Sequence, residues 1–153
     1  MREEKCIMLI DDDIDDRFLF SRAAELKIPE IKCVTAEGGM EAFELLYKMP
    51  HLPQVIFLDI NMPGMNGWEF LSQFKKNEQF KNIPILIYST SSHEKDITAA
   101  QTAGAIGYCV KPLEFEGLQT ILSFVCDNLG HGLAAAIRNN KKILYFKRAD
   151  NQL

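Results

Sequence analysis

Five short apolar runs alternate along the chain with longer segments whose apolar residues recur every three or four positions. The runs fall near residues 6–10, 31–35, 54–59, 83–88 and 106–110. Each run has the length of a strand, and the segments between them have the spacing of amphipathic helices. The alternation predicts βαβ units, and therefore an α/β fold with a mostly parallel five-stranded sheet that carries helices on both faces.

The first helical segment is defined by four apolar positions. Ile14, Phe18, Leu19 and Ala23 recur at helical spacing directly after the first strand-like run. This spacing predicts an amphipathic helix with these residues on its apolar side.

Charged and hydroxyl residues follow the strand-like runs. Asp11 and Asp12 follow the first run, Asp59 ends the third, Ser89 follows the fourth and Lys111 follows the fifth. Ligands of such sheets bind beyond the carboxyl ends of the strands. We therefore expect these side chains to meet at one edge of the sheet.

Composition narrows the class of protein. The chain has 153 residues, of which 47% are hydrophobic and 25% charged, with a net charge of −4. These values are typical of a soluble globular domain, and no apolar stretch reaches the 18 or more residues of a membrane span. The N-terminus lacks a signal-peptide layout, and the four cysteines are far apart without metal-ligand spacing. We interpret them as reduced thiols of a cytoplasmic protein.

Three carboxylates at one edge would repel each other strongly. Crowding of Asp11, Asp12 and Asp59 is relieved by a divalent cation, and an oxygen shell suits Mg²⁺ or Mn²⁺. A metal beside a carboxylate and the Lys111 ammonium indicates a phosphoryl site with Asp59 as the nucleophile. The Ser89 hydroxyl would hydrogen-bond a phosphoryl oxygen.

A calcium-binding loop is the competing interpretation of the acidic run. Asp11, Asp13 and Asp15 fit its first three ligand positions, but Asp16 stands where that loop has glycine and Arg22 where it has glutamate. We therefore interpret Asp13, Asp15 and Asp16 as solvated acids at the start of a helix.

Taken together, these residues resemble the receiver domain of bacterial two-component response regulators, of the stand-alone, single-domain type. The resemblance covers roughly residues 5–129. It implies a flavodoxin-like, doubly wound parallel sheet with strand order 2-1-3-4-5. It also implies that a sensor histidine kinase or a histidine phosphotransfer protein transfers a phosphoryl group onto Asp59, and that hydrolysis later removes this group.

The resemblance assigns a role to each site residue. The metal ligands would be Asp12, Asp59 and the backbone carbonyl of Asn61, with Asp11 acting through water. Lys111 would offset charge, and a cis peptide between Lys111 and Pro112 would aim its amine inward.

The resemblance also implies a switch. Ser89 would move toward the phosphoryl group, and the Tyr108 ring would enter the vacated space from an outward rotamer. The surface formed by the fourth helix, the fifth strand and the fifth helix would then bind a downstream protein, whose identity the sequence leaves unknown.

Two alternatives to a phosphorylated signalling module remain. A haloacid-dehalogenase-type phosphohydrolase also uses an aspartate nucleophile and Mg²⁺, but it needs a second aspartate where this chain has Asn61. A receiver-fold scaffold that acts without phosphorylation is the other alternative. We do not expect an enzyme beyond self-phosphotransfer and autodephosphorylation.

Residues 130–153 form a basic extension without a separate domain. Their charged residues are Arg138, Lys141, Lys142, Lys147, Arg148 and Asp150, a net charge of +4. We expect an added strand or helix packed on the receiver or on a second subunit, and a flexible basic segment is the alternative. The extension is too short for a helix-turn-helix domain with its own core, so DNA binding is not expected. Homodimer formation is left open.

Overall fold

The computed structural model describes residues 4–130 and 132–139. Its strands are β1 (Cys6–Ile10), β2 (Lys32–Ala36), β3 (Val55–Leu58), β4 (Ile85–Ser89) and β5 (Gly107–Val110). They form one sheet in the order β2-β1-β3-β4-β5, and every neighbouring pair is parallel. The predicted α/β class and strand order are therefore confirmed.

Helices cover both faces of this sheet. They are α1 (Ile14–Lys27), α2 (Gly39–Lys48), α3 (Gly67–Lys76), α4 (Glu94–Thr102), α5 (Phe115–Asp127) and α6 (Leu133–Asn139). Side chains of α1, α5 and α6 share one core with the sheet, and those of α2, α3 and α4 share the other. None of the helices in the described ranges combines the length and hydrophobicity that a membrane-spanning segment needs.

Strands β1, β3 and β4 are buried on both sides, whereas β2 at the edge of the sheet is mostly half-buried. In β1, Ile7 and Leu9 belong to the first core, whereas Met8 and Ile10 belong to the second. A strand that is covered on both faces needs apolar residues at every position. This requirement explains the unbroken apolar runs in the sequence.

The register of the sheet brings the first acidic residues to the same level. Ile10 at the end of β1 pairs with Leu58 at the end of β3. The N–H of Asp59 donates to the carbonyl of Ile10 at 2.9 Å. Asp11 and Asp59 therefore leave neighbouring strands side by side.

The first helix forms where the sequence predicted it, but it buries a different face. Ile14, Phe18 and Leu19 are exposed, whereas Phe20 is buried together with Ala23 and Ala24. The Phe20 ring packs edge-on against the rings of Phe57 and Tyr88, with centroids 5.0 and 5.7 Å apart. This aromatic contact sets the rotation of the helix, so the expected apolar face was wrong at three of its four positions.

The basic extension begins with a helix that packs on the first core. Leu133 and Ile137 of α6 are buried there, and a Cβ added at Gly107 would lie 2.9 Å from the Ile137 side chain. The absence of a side chain at Gly107 thus lets α6 lie against β5. Residues 140–153, which hold most of the basic residues, lie outside the described residues, and the domain boundary near residue 130 stays a prediction.

Candidate functional site

Three carboxylates converge at the carboxyl edge of the sheet. One oxygen from each of Asp11, Asp12 and Asp59 lies within 4.8 Å of the others. Asp11 and Asp59 are buried, and Asp12 is exposed. The N–H of Asp13 donates to Asp11 Oδ1 at 2.9 Å, and the N–H of Asn61 donates to Asp59 Oδ1 at 3.2 Å. These bonds orient the two buried carboxylates toward a common point.

The Lys111 ammonium contacts two of these carboxylates, Asp11 and Asp59, and also Asp16. Its Nζ is 2.7 Å from Asp11 Oδ2, 2.7 Å from Asp16 Oδ2 and 3.6 Å from Asp59 Oδ2. The backbone N–H of Lys111 donates to the carbonyl of Ser89 at 2.7 Å, which fixes the point where the side chain leaves β5.

The expected cis peptide before Pro112 is not found. The described residues contain no cis peptide bond, so that prediction is wrong. The Lys111 amine nevertheless points inward, because three carboxylates surround it.

Burial and nearby charges shift the pKa values of Asp59 and Lys111. Burial raises the pKa of Asp59 to about 6, although the Lys111 ammonium and the Asn61 N–H lower it, and the nearby Asp11 carboxylate raises it further. Burial lowers the pKa of Lys111, but the hydrogen bonds that its ammonium donates to Asp11 and Asp16 outweigh this effect and leave the pKa above its ordinary value. Lys111 is therefore charged, and it is the single cation among several carboxyl groups.

The donor set fits a hard divalent cation. All three side chains offer carboxylate oxygens, and no histidine or cysteine of the described residues belongs to the cluster. Such oxygen ligands suit Mg²⁺ or Mn²⁺, and their negative charge supplies the attraction. The residues present thus fit the cation that the sequence predicted.

Two contacts of Lys111 were missed in the sequence. Asp16, interpreted as a solvated acid, forms an ion pair with Lys111. The buried Tyr88 ring lies 5.5 Å from Lys111 Nζ, within the range of a cation–π contact. An acidic residue is favourable at the start of a helix, so the sequence offered no reason to expect a partner for Asp16. Tyr88 lies within an apolar run, and nothing in the sequence distinguished it from the other residues of that run.

The two predicted switch residues, Ser89 and Tyr108, are both hydrogen-bonded to the backbone of Ser91. Ser89 is fully buried, and its Oγ accepts a hydrogen bond from the N–H of Ser91 at 3.1 Å. Tyr108 is also fully buried, and its hydroxyl donates to the carbonyl of Ser91 at 2.8 Å. The expected outward ring is therefore wrong for this structure, because the apolar ring packs in the second core while its hydroxyl keeps a partner.

A glycine after Asp59 allows the third helix to start close to the site. A Cβ added at Gly67 would lie 2.5 Å from the Asp59 carbonyl oxygen and 2.5 Å from Ile60 Cα. The side chain of Asn66 caps this helix by accepting from the N–H of Glu69 at 2.9 Å. Gly67 is thus needed for close packing behind Asp59, a role that the sequence alone did not reveal.

Comparison with known proteins identifies the family. Residues 7–123 match the family model described as the response regulator receiver domain. The chain belongs to this family. It is 32% identical over 131 residues to the two-component response regulator ARR17 of Arabidopsis thaliana, covering 79% of this chain and 84% of that protein.

Receiver domains also occur within longer proteins. The chain is 31% identical over 116 residues to the sensor histidine kinase CheAY of Helicobacter pylori. The match covers 76% of this chain and only 14% of that kinase. This chain therefore corresponds to only a small part of that kinase.

Two solved structures support the same assignment. The phosphorylated cyanobacterial phytochrome response regulator RcpA has a TM-score of 0.74 at 29% identity, covering 83% of this chain and 94% of that one. The Mn(2+)-bound form of response regulator Rcp1 has a TM-score of 0.69 at 27% identity, covering 78% and 93%. The receiver fold predicted from the sequence is thereby confirmed.

Proposed function

We propose that this receiver domain accepts a phosphoryl group onto Asp59 from a phosphohistidine of a sensor histidine kinase or a histidine phosphotransfer protein. The observation that supports this best is the convergence of Asp59 with the Lys111 ammonium and two further carboxylates. A buried carboxylate beside a fixed cation is the arrangement that a phosphoryl acceptor requires.

The proposal includes a divalent cation, Mg²⁺ or Mn²⁺. Asp12, Asp59 and the backbone carbonyl of Asn61 would hold it directly, and Asp11 would act through water. When bound, the cation neutralises charge on the phosphoryl group and the carboxylates. The all-oxygen donor set and the Mn(2+)-bound relative support this assignment.

The residues of the chain carry out the remaining chemistry. A carboxylate oxygen of Asp59 attacks phosphorus and forms the new P–O bond, while the P–N bond of the donor breaks and the imidazole nitrogen keeps the electron pair. The Lys111 ammonium offsets negative charge on the transferred group. Water later attacks the phosphorus, the P–O bond to Asp59 breaks with its electron pair on the carboxylate, and inorganic phosphate leaves.

We propose that the modification acts on the loop between β4 and α4. A phosphoryl group on Asp59 would attract the hydroxyl of Ser89, whose Oγ is bonded to Ser91, and Ser91 also holds Tyr108. A shift from 1:99 to 99:1 needs about 5.5 kcal/mol, whereas one charge-assisted hydrogen bond supplies roughly 1.5–3 kcal/mol. Lys111 and the downstream partner must therefore supply the rest.

Exposed apolar side chains that follow the site residues along the chain support a protein as the donor. Ile14 and Phe18, one turn apart on α1, are 69% and 68% exposed, and Leu113 beyond Lys111 is fully exposed. Exposed apolar side chains around a charged site are typical of a docking surface. We propose that the phosphohistidine-bearing protein covers these residues during transfer.

A cytoplasmic location is part of the proposal. All four cysteines are free thiols, and three of them are buried. Unpaired cysteines fit a compartment in which disulfides are rare.

Phosphorylation with a small donor tests the proposal. With Mg²⁺ and acetyl phosphate, the wild type should gain one phosphoryl group, detected by intact-protein mass spectrometry, and Asp59→Asn should gain none. Multiple turnovers of phosphate release from a phosphate ester, rather than from acetyl phosphate, would favour the phosphohydrolase alternative. Binding of a downstream protein equally well by wild type and Asp59→Asn would favour the unphosphorylated scaffold.

A further inference from the structure

The Lys111 ammonium is shared between the phosphoacceptor and a carboxylate outside the metal cluster. Asp16 Oδ2 lies 2.7 Å from Nζ, whereas Asp59 Oδ2 lies 3.6 Å away. Asp16 is not a member of the three-carboxylate group that could hold a cation. Its contact with the site is therefore through the lysine.

The position of Asp16 is fixed by the start of α1. Asp13 is the N-cap, and its Oδ1 accepts from the N–H of Asp15 at 2.8 Å and from the N–H of Asp16 at 3.1 Å. The Asp16 side chain is 34% exposed, and the Lys111 side chain is 10% exposed. Asp16 is thus the more exposed of the two carboxylates that accept hydrogen bonds from the ammonium, and Asp11 is the buried one.

We propose that Asp16 is a positioning residue that holds the Lys111 ammonium away from Asp59 and thereby slows phosphorylation of Asp59. The inference rests on the proposed function of Asp59.

The physical reason lies in the three N–H donors of a lysine ammonium. One is taken by Asp11 and one by Asp16 at 2.7 Å each, so the group is held nearer to these acids than to Asp59. During transfer from acetyl phosphate, the Asp59 oxygen–phosphorus bond forms as the P–O bond to acetate breaks, and acetate leaves with the electron pair. Negative charge on the transferred group needs the ammonium at that moment, and Asp16 competes for it.

Asp16→Asn tests this role, with Asp15→Asn as the matched control. Asp15 lies in the same helical turn, its side chain is exposed, and it is not among the described carboxylates within 4.0 Å of Lys111. Both variants lose one negative charge, so the difference between them isolates the contact with the lysine. The assay measures the phosphorylation rate against acetyl phosphate concentration with saturating Mg²⁺.

We expect Asp16→Asn to raise the phosphorylation rate at saturating donor about three- to fivefold, as expected for a partly exposed ion pair. Asp16→Glu should restore wild-type behaviour at least in part. Asp15→Asn should alter mainly the half-saturating donor concentration, in a manner that salt screens.

Two results would overturn the positioning role. They are a rate for Asp16→Asn equal to that of Asp15→Asn, and a rate below the wild type. If the wild type itself gains no phosphoryl group on Asp59, the proposed function fails. If it is modified normally and the two asparagine variants behave alike, only the role of Asp16 fails.

Discussion

Replacement of Asp59 by asparagine should stabilise the metal-free protein. The pKa of this buried carboxyl is raised from its ordinary value of 3.8 to about 6. The native state therefore holds this proton more tightly than the unfolded chain does. Where the native state binds more protons, stability falls as pH rises, so ionisation of Asp59 destabilises the fold between about pH 4 and pH 7 and the full penalty remains above that range.

The size of the effect follows from the same shift. Each pKa unit corresponds to about 1.4 kcal/mol, so the penalty at pH 8 is at most about 3 kcal/mol. Asparagine keeps the shape of the side chain without its charge. Its NH₂ group and the Lys111 ammonium are both hydrogen-bond donors, however, so their contact offsets part of the gain. We therefore expect the free energy of unfolding of Asp59→Asn to exceed that of the wild type by about 1–3 kcal/mol in the absence of metal.

Urea denaturation at pH 8 measures the free energy of unfolding with the site metal-free and with the site occupied by Mg²⁺. In EDTA, Asp59→Asn should unfold at a higher urea concentration than the wild type. With Mg²⁺ at 100 times its dissociation constant, the wild type should gain about 2.7 kcal/mol, and the variant should gain little of this.

Asp12→Asn separates metal binding from burial. It removes the same charge from the same cluster, but the Asp12 side chain is exposed. It should therefore lose the Mg²⁺ response while changing the metal-free stability by less than about 0.5 kcal/mol. The reasoning is refuted if Asp59→Asn is no more stable than the wild type in EDTA, or if it keeps the full gain from Mg²⁺.

Three further substitutions test the geometry around the site. Tyr108→Phe removes the hydroxyl that donates to the Ser91 carbonyl, and urea denaturation should show a loss of about 0.5–1.5 kcal/mol; unchanged stability would contradict the importance of that bond. Gly67→Ala should cost about 1–3 kcal/mol and weaken the Mg²⁺ response, because the added methyl meets the Asp59 backbone. Gly38→Ala, where a Cβ meets nothing within 4 Å, is its control and should leave the Mg²⁺ response unchanged. Asp13→Ala removes the cap of α1 and should cost about 0.5–2 kcal/mol, with faster amide exchange at Asp15 and Asp16; exchange as slow as in the wild type would show that the cap does not hold this turn.

The sequence by itself determined the architecture and the meeting of the acids with the lysine. Strands buried on both faces need continuous apolar runs, and parallel strands bring their carboxyl ends to one edge. These two rules bring Asp11 and Asp59 together, and the same edge receives Lys111. Both rules depend only on the order of residues along the chain, so their consequences can be inferred without coordinates.

Only the tertiary structure decided the orientations. Packing of Phe20 against the rings of Phe57 and Tyr88 set the rotation of α1, which exposed Phe18 and placed Asp16 against Lys111. Contacts of this kind join residues far apart in the chain and depend on which side chains fill a common space, a property that local spacing does not encode.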